Sequence, residues 1–370
     1  MDRAGLDALL ELLHQRGYET VGPVLHNGAI TYDVLADTAD LPIGWGDTQD
    51  GGHYRLRQRD DQALFGYAAG PQSWKKYLFP PVETLYTARR DEQGIQFEPA
   101  PVAAPKRAFF GVRACELHAI AIQDRVFIGG PYPDPGYQAR RDNVFIVALN
   151  CGQAGGTCFC VSMGTGPKAD QGFDLALTEV LADDGHYFLL ETGSPRGEAL
   201  IDQLPARPAQ PAELAAAQAV VARTAASMGR SLETRDIKEL LYDNLEHPRW
   251  DEVAERCLSC ANCTLACPTC FCSTGEEVTD LADTTAEHRR VWDSCFNLEF
   301  SHLAGGSSVR RSTRGRYRQW MTHKLASWHD QFDSSGCVGC GRCITWCPVG
   351  IDITEEAAAI RATDSRRQGP

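Results

Sequence analysis

Cys257-Leu258-Ser259-Cys260-Ala261-Asn262-Cys263-Thr264-Leu265-Ala266-Cys267-Pro268 returns in outline as Cys337-Val338-Gly339-Cys340-Gly341-Arg342-Cys343-Ile344-Thr345-Trp346-Cys347-Pro348. Both stretches read C-x2-C-x2-C-x3-C-P. A thiolate is a soft, anionic donor, and two-residue gaps in a tight loop aim three sulfurs at one point while the loop's amides turn toward them. Gly339 and Gly341 are small enough for such a loop. The proline after the fourth cysteine turns the chain away, leaving that cysteine one helical turn further on and facing a different partner.

This is the spacing with which bacterial two-cluster ferredoxins hold two [4Fe–4S] cubes, three ligands coming from one run and the fourth crossing to the other. The expected ligand sets are Cys257, Cys260, Cys263 and Cys347 for one cluster, and Cys337, Cys340, Cys343 and Cys267 for the other. Zinc is the alternative metal, but zinc sites use two C-x2-C pairs far apart in sequence rather than four cysteines in one run ending in Cys-Pro. A sirohaem-type reading of Cys257-x5-Cys263 with a later C-x3-C leaves the inner Cys260 and Cys340 unexplained.

The chain of 370 residues is long enough for about two domains. Its 43% hydrophobic and 23% charged content is that of a globular protein. No apolar run approaches the length of a membrane span and no basic-then-apolar leader is present, so the expectation is a cytoplasmic protein. Fifteen cysteines without a leader indicate reduced thiolates on metal rather than disulfides. A net charge of −13 argues against nucleic-acid binding. One basic segment, 310–324, stands out, and a solvated or cluster-facing surface explains it better than a docking patch for an acidic partner.

Residues 3–17 carry leucines at helical spacing and predict an amphipathic helix. Strand-like runs follow at 19–25, 29–34, 54–58 and 63–67, separated by Gly/Asp/Pro turns. Trp74-Lys75-Lys76-Tyr77 with Phe79-Pro80-Pro81 reads as a structural loop or as a segment packed near a cofactor. Residues 107–112 and 143–149 predict buried strands, with Cys115 just past the first, opening a helix over 116–126, and Cys151 just past the second. Cysteines beyond the carboxyl ends of two strands lie at the edge where open α/β sheets place their ligands. With Cys158 and Cys160, flanked by Gly155 and Gly156, they form a candidate third [4Fe–4S] site, for which buried or reactive thiols or zinc are the competing readings. A helix at 173–181, a strand at 186–191, a Pro/Ala linker at 205–211 and helices at 212–228, 236–245 and 250–256 complete the approach to the first motif.

The fold class expected is an α+β or α/β N-terminal domain (1–205), a linker with helices (206–256), and a mainly α-helical two-[4Fe–4S] ferredoxin-like domain (257–370) with a long insertion at 273–336. The remaining cysteines, Cys270, Cys272 and Cys295, could bind a further cluster with a fourth ligand from elsewhere. Packing, or hydrogen bonding to the neighbouring clusters, is the reading preferred for them, since free cysteine is among the most buried residue types. No dinucleotide, phosphate-loop or metalloprotease motif occurs, and no substrate-converting site is seen.

Gly111-Val112-Arg113-Ala114-Cys115-Glu116-Leu117, Asn150-Cys151, Cys158-Phe159-Cys160, Cys267-Pro268-Thr269-Cys270-Phe271-Cys272, Trp292-Asp293-Ser294-Cys295, and Arg316-Tyr317-Arg318 with His323-Lys324 together carry a more specific signal. From about residue 70 to 355 the chain resembles the beta (iron–sulfur) subunit of cytosolic NADP-linked [NiFe] hydrogenases, or sulfhydrogenases. The corresponding component of the anaerobic sulfite reductase is in the same family. The resemblance implies an electron-transfer subunit of an oxidoreductase complex, bridging the hydrogenase small and large subunits and a flavin subunit that binds NAD(P). A sirohaem sulfite reductase is the alternative complex, and a zinc-stabilised scaffold the alternative of another class. It also implies that the upstream cysteines hold a cluster and that Cys270, Cys272 and Cys295 do more than pack. Glu116 departs from the aspartate expected after the cysteine while keeping its charge.

Overall fold

The computed structural model describes residues 1–182, 185–279 and 284–364. A six-stranded sheet runs in the order Gly185–Thr192, Leu175–Ala182, Val144–Leu149, Arg107–Arg113, Glu19–His26, Ala29–Val34. Its four inner strands are parallel, and a hairpin adds an antiparallel strand at each edge. Alternation along the strands builds two cores. Phe145, Val147 and Leu149 pack with Leu6, Leu9, Leu10 and Leu13 of the helix Arg3–Gln15, while Ile146 and Ala148 face Leu117 and Ile120 of the helix Ala114–Phe127.

Two sequence expectations fail within this unit. The segment 173–181, expected as a helix, forms the strand Leu175–Ala182. It is covered on both faces, and such a strand shows a continuous apolar run in place of alternation. Residues 63–67, expected as a strand, are buried coil. The amides of Leu64 and Phe65 donate to the Glu179 carboxylate at 2.7 and 2.9 Å, so they need no strand ladder.

A second sheet, antiparallel throughout, runs Ser273–Thr279, Thr285–Trp292, Val82–Asp91, Gly94–Pro99. The hairpin of the 273–336 insertion thus pairs with a segment of the N-terminal half, and among the described residues the regular structure of the C-terminal region is helical apart from this hairpin and a two-residue pair, His302–Leu303 with Ser307–Ser308. Side-chain pairing holds the sheet together: Arg290 bonds both Glu83 and Asp134, and His288 stacks on Tyr86 with ring centroids 4.8 Å apart. With both faces partly solvated, these strands have no apolar alternation to betray them.

The helices Arg249–Arg256, Thr313–Thr322 and Ile353–Thr363 enclose a further core of Trp250, Tyr317, Trp320, Ile344 and Ile360, against which Cys257, Cys263, Cys337, Cys343 and Cys347 pack. Among the described residues, no helix is long and apolar enough to cross a membrane. The second cysteine motif is tied to the sheet by an ion pair, Arg342 to Glu116 at 2.6 Å, with side chains 0% and 1% exposed. Tyr32 and Trp74 donate to the same carboxylate, and the Arg342 Nε donates to the Gly70 carbonyl.

Removing one member of a buried pair leaves the other charge uncompensated. Glu116→Ala should therefore lower unfolding stability by about 3–5 kcal/mol, seen as an earlier urea midpoint for the protein handled without oxygen.

Candidate iron–sulfur centres

The two motifs repeat in backbone conformation as well as in spacing. Ser259 and Ala261 have φ of 50° and 67°, and the residues at the same places in the second motif, Gly339 and Gly341, have φ of 65° and 75°. Each loop then enters a one-turn helix, Asn262–Leu265 or Arg342–Thr345, that carries the third cysteine. The left-handed residues turn an amide toward sulfur in both: Ser259 N–H donates to Cys257 Sγ and Gly339 N–H to Cys337 Sγ, each at 3.4 Å.

Cys257, Cys260, Cys263 and Cys347 line one cavity, closed by Phe296, Tyr317 and Ile351. Cys347 comes from the other motif, and Cys343 of that motif lines the same cavity. Cys267 makes the reciprocal crossing and lies within electrostatic reach of Cys337, Cys340 and Cys343. Burial pushes the Cys337 thiol up to about 12 and the Cys263 and Cys343 thiols well above the ordinary cysteine range. Such thiols keep their protons in an empty site and release them to a cationic metal centre. The ring of sulfurs around a cavity and the inward amides both fit a [4Fe–4S] cluster.

A separate cavity is lined by Cys115, Cys151, Cys158 and Cys160, together with Arg113, Met228 and Cys340. The sheet explains the first two. Cys115 starts the helix after the strand Arg107–Arg113, Cys151 follows the neighbouring strand Val144–Leu149, and a bulge at Gly111, with φ of 88°, shifts the register between them. Arg113 donates to Cys151 Sγ at 3.3 Å. Burial raises the Cys158 thiol to about 12 and lifts those of Cys115 and Cys160 further. Cys340, read from sequence as part of the second motif alone, stands between that motif and this cavity.

Cys270, Cys272 and Cys295 gather beside the paired motifs. The thiols of Cys267 and Cys270 are hydrogen-bonded, as are those of Cys272 and Cys295, and Cys295 lies near Cys263. The hydrogen bond from Cys295 draws the Cys272 thiol down to about 6, and Lys324 and Lys75 add to the effect. Among the described residues, no group of three or more His, Cys, Asp or Glu side chains is gathered as a site for a metal ion. Of the insertion's histidines, His288 pairs with Glu277, and His323 packs between Phe271 and Trp328, where burial lowers it to about 4.

The sequence marked the basic segment 310–324, with a solvated or cluster-facing surface as its reading, but not which sulfurs its cations meet. In the basic segment, Arg314 and Arg318 bond Glu246, Arg316 holds the carbonyls of Arg310 and Arg311, and Lys324 turns inward onto Cys267. Arg113 stands just before Cys115 in sequence, whereas Lys324 is remote in sequence from Cys267, the cysteine it meets.

Residues 256–351 match the family model described as a 4Fe-4S dicluster domain. Over 260 residues the chain is 34% identical to the sulfhydrogenase 2 subunit beta of Pyrococcus furiosus, the match spanning 69% of this chain and 74% of that protein. The chain belongs to the sulfhydrogenase beta-subunit family. It is thus an iron–sulfur subunit with a 4Fe-4S dicluster domain toward its C-terminus, and electron transfer is the chemistry to which such a domain is suited. No solved structure matches this sulfhydrogenase beta-subunit homologue.

In this family member the dicluster loop leaves no room for side chains against the upstream cysteines. A Cβ on Gly341 would stand 2.3 Å from the Thr157 carbonyl oxygen, and one on Gly339 would stand 2.7 Å from the Cys160 nitrogen. Gly341→Ala should lower stability by more than about 1 kcal/mol from the left-handed backbone alone. It should also reduce iron content, measured per chain after anaerobic purification.

Proposed function

We propose that the chain is the electron-transfer subunit of a [NiFe] hydrogenase complex, relaying electrons between hydrogenase small and large subunits and a flavin subunit that binds NAD(P). In this reading Cys257, Cys260, Cys263 and Cys347 hold one [4Fe–4S] cluster, Cys337, Cys340, Cys343 and Cys267 a second, and Cys115, Cys151, Cys158 and Cys160 a third. The observation that carries it is the contiguity of the three sets. Cys263 lies within electrostatic reach of Cys343, and Cys340 lines the cavity of the upstream cysteines. A bound [4Fe–4S] cluster takes up and releases single electrons at a potential set by charge, hydrogen bonding and burial.

The protein's own residues supply those controls. Backbone amides of Ser259, Gly339 and Ile351 donate to sulfurs, and Phe296, Tyr317 and Trp320 shield the first cavity from water. The first set also reaches the surface, where Cys260 is exposed and Leu258 is 64% exposed, which suits an end that meets a partner protein. The relative's name, a sulfhydrogenase subunit, favours the hydrogenase complex over the sulfite reductase. The match of residues 256–351 to a 4Fe-4S dicluster domain favours clusters over a zinc scaffold.

Natively tagged protein purified without oxygen should carry about twelve iron atoms per chain, with nickel and a flavin copurifying. Iron with sirohaem and no nickel would move the chain to sulfite reduction, and a colourless zinc protein would make it a scaffold. Cys340→Ser, at the junction of two sets, should cut electron transfer from hydrogen to NADP by at least about tenfold. An unchanged rate would remove the second cluster from the path.

A further inference from the structure

Lys324 and Lys75 are 4% and 5% exposed. Among the described residues, the lysines that pair with carboxylates are Lys168 and Lys238, both far more exposed. The Lys324 Nζ donates to Cys267 Sγ and to Thr269 Oγ1, each at 3.1 Å. Lys75 Nζ donates to the Cys270 carbonyl at 3.1 Å and sits 3.9 Å from the centre of the Trp292 ring. An ammonium group taken out of water needs an anion nearby, and the groups around these two are thiols and dipoles.

Lys324 is also held firmly. It lies in the π-helical turn His323–Ser327, a backbone form concentrated at functional sites, and its carbonyl accepts from Gly336 N–H at 2.8 Å. Its charge is distributed unevenly between the two paired sets. It donates to Cys267 of the second set at 3.1 Å, and its charge also acts on Cys337 of that set and on Cys263 of the first. The sulfurs of Cys257 and Cys347 in the first set accept from the amides of Ser259 and Ile351.

We propose that Lys324 is a positioning charge that raises the potential of the second cluster above that of the first, so that an electron shared by the pair resides on the second. The proposal rests on the cluster reading above. Reduction adds negative charge to a cluster, and a fixed cation beside one ligand stabilises that charge most at the nearer centre. Low dielectric strengthens the effect, since both the lysine and the thiols are out of water.

The test is an EPR-monitored redox titration, with iron analysis, of the whole protein purified without oxygen as wild type, Lys324→Met and Lys324→Arg. Lys324→Met should keep its iron, and one cluster's midpoint should fall by at least 59 mV, a tenfold change in the one-electron equilibrium, while its neighbour's falls less. Lys324→Arg should stay near wild type. Full iron with both midpoints unmoved in Lys324→Met would overturn the proposal. If Lys324→Met sheds iron, Lys324→Gln keeps a donor toward Cys267 without the charge. A lowered midpoint there supports the role, whereas an unmoved midpoint, or iron loss again, makes the lysine a structural element and refutes it. A wild-type protein without iron would sink the cluster reading itself, an outcome distinct from an unmoved midpoint.

Discussion

Two loops far apart in the chain meet with no side-chain layer between them. The Gly339 carbonyl accepts from Phe159 N–H at 2.8 Å, Thr165 bonds the Val338 carbonyl at 2.7 Å, and Thr157 bonds Thr345 at 2.7 Å. Glycine at 339 and 341 is what permits this approach, for each position combines a left-handed backbone with a neighbouring main chain. The arrangement of the cysteines follows from the contact. It sets Cys340 against the cavity of Cys115, Cys151, Cys158 and Cys160, and so converts a ferredoxin-like pair and a sheet-edge cluster of thiols into one continuous group.

Buried charge is the second theme. Arg342 is neutralised by Glu116, whereas Arg113 donates to Cys151 and to the Tyr67 carbonyl, and Lys324 to Cys267. A cation buried among thiols is costly unless those thiols become anionic. Metal-bound thiolates meet that need, and the cations in turn favour the deprotonated ligands. Metal bound at these cysteines would therefore stabilise the fold, in the way that metal binding couples to folding generally.

Much of the inner sheet was legible because its residues obey one rule at a time. The helix Arg3–Gln15 has leucines on one face, and the strands Arg107–Arg113 and Val144–Leu149 are short apolar runs bounded by turns. The strand Leu175–Ala182 was misread because burial on both faces erases its period. The four-stranded sheet went unseen for the opposite reason. Thr285–Trp292 is only half buried along its length and is held by charged and aromatic pairs across the strands, which leave no pattern within any single segment.

By itself the sequence determined the spacing of the two cysteine runs, because C-x2-C-x2-C is a constraint of a few adjacent residues. It also placed Cys115 and Cys151 just past the ends of two buried strands, whereas the parallel pairing of those strands is a fact of the sheet. Only the tertiary structure decided that Cys340 faces two sets, that Cys272 and Cys295 pair across the mouth of a hairpin, and that Lys324 turns inward from a basic segment. Those contacts join residues separated by long stretches of chain, and their strength depends on burial and distance, quantities that no local pattern of residues encodes.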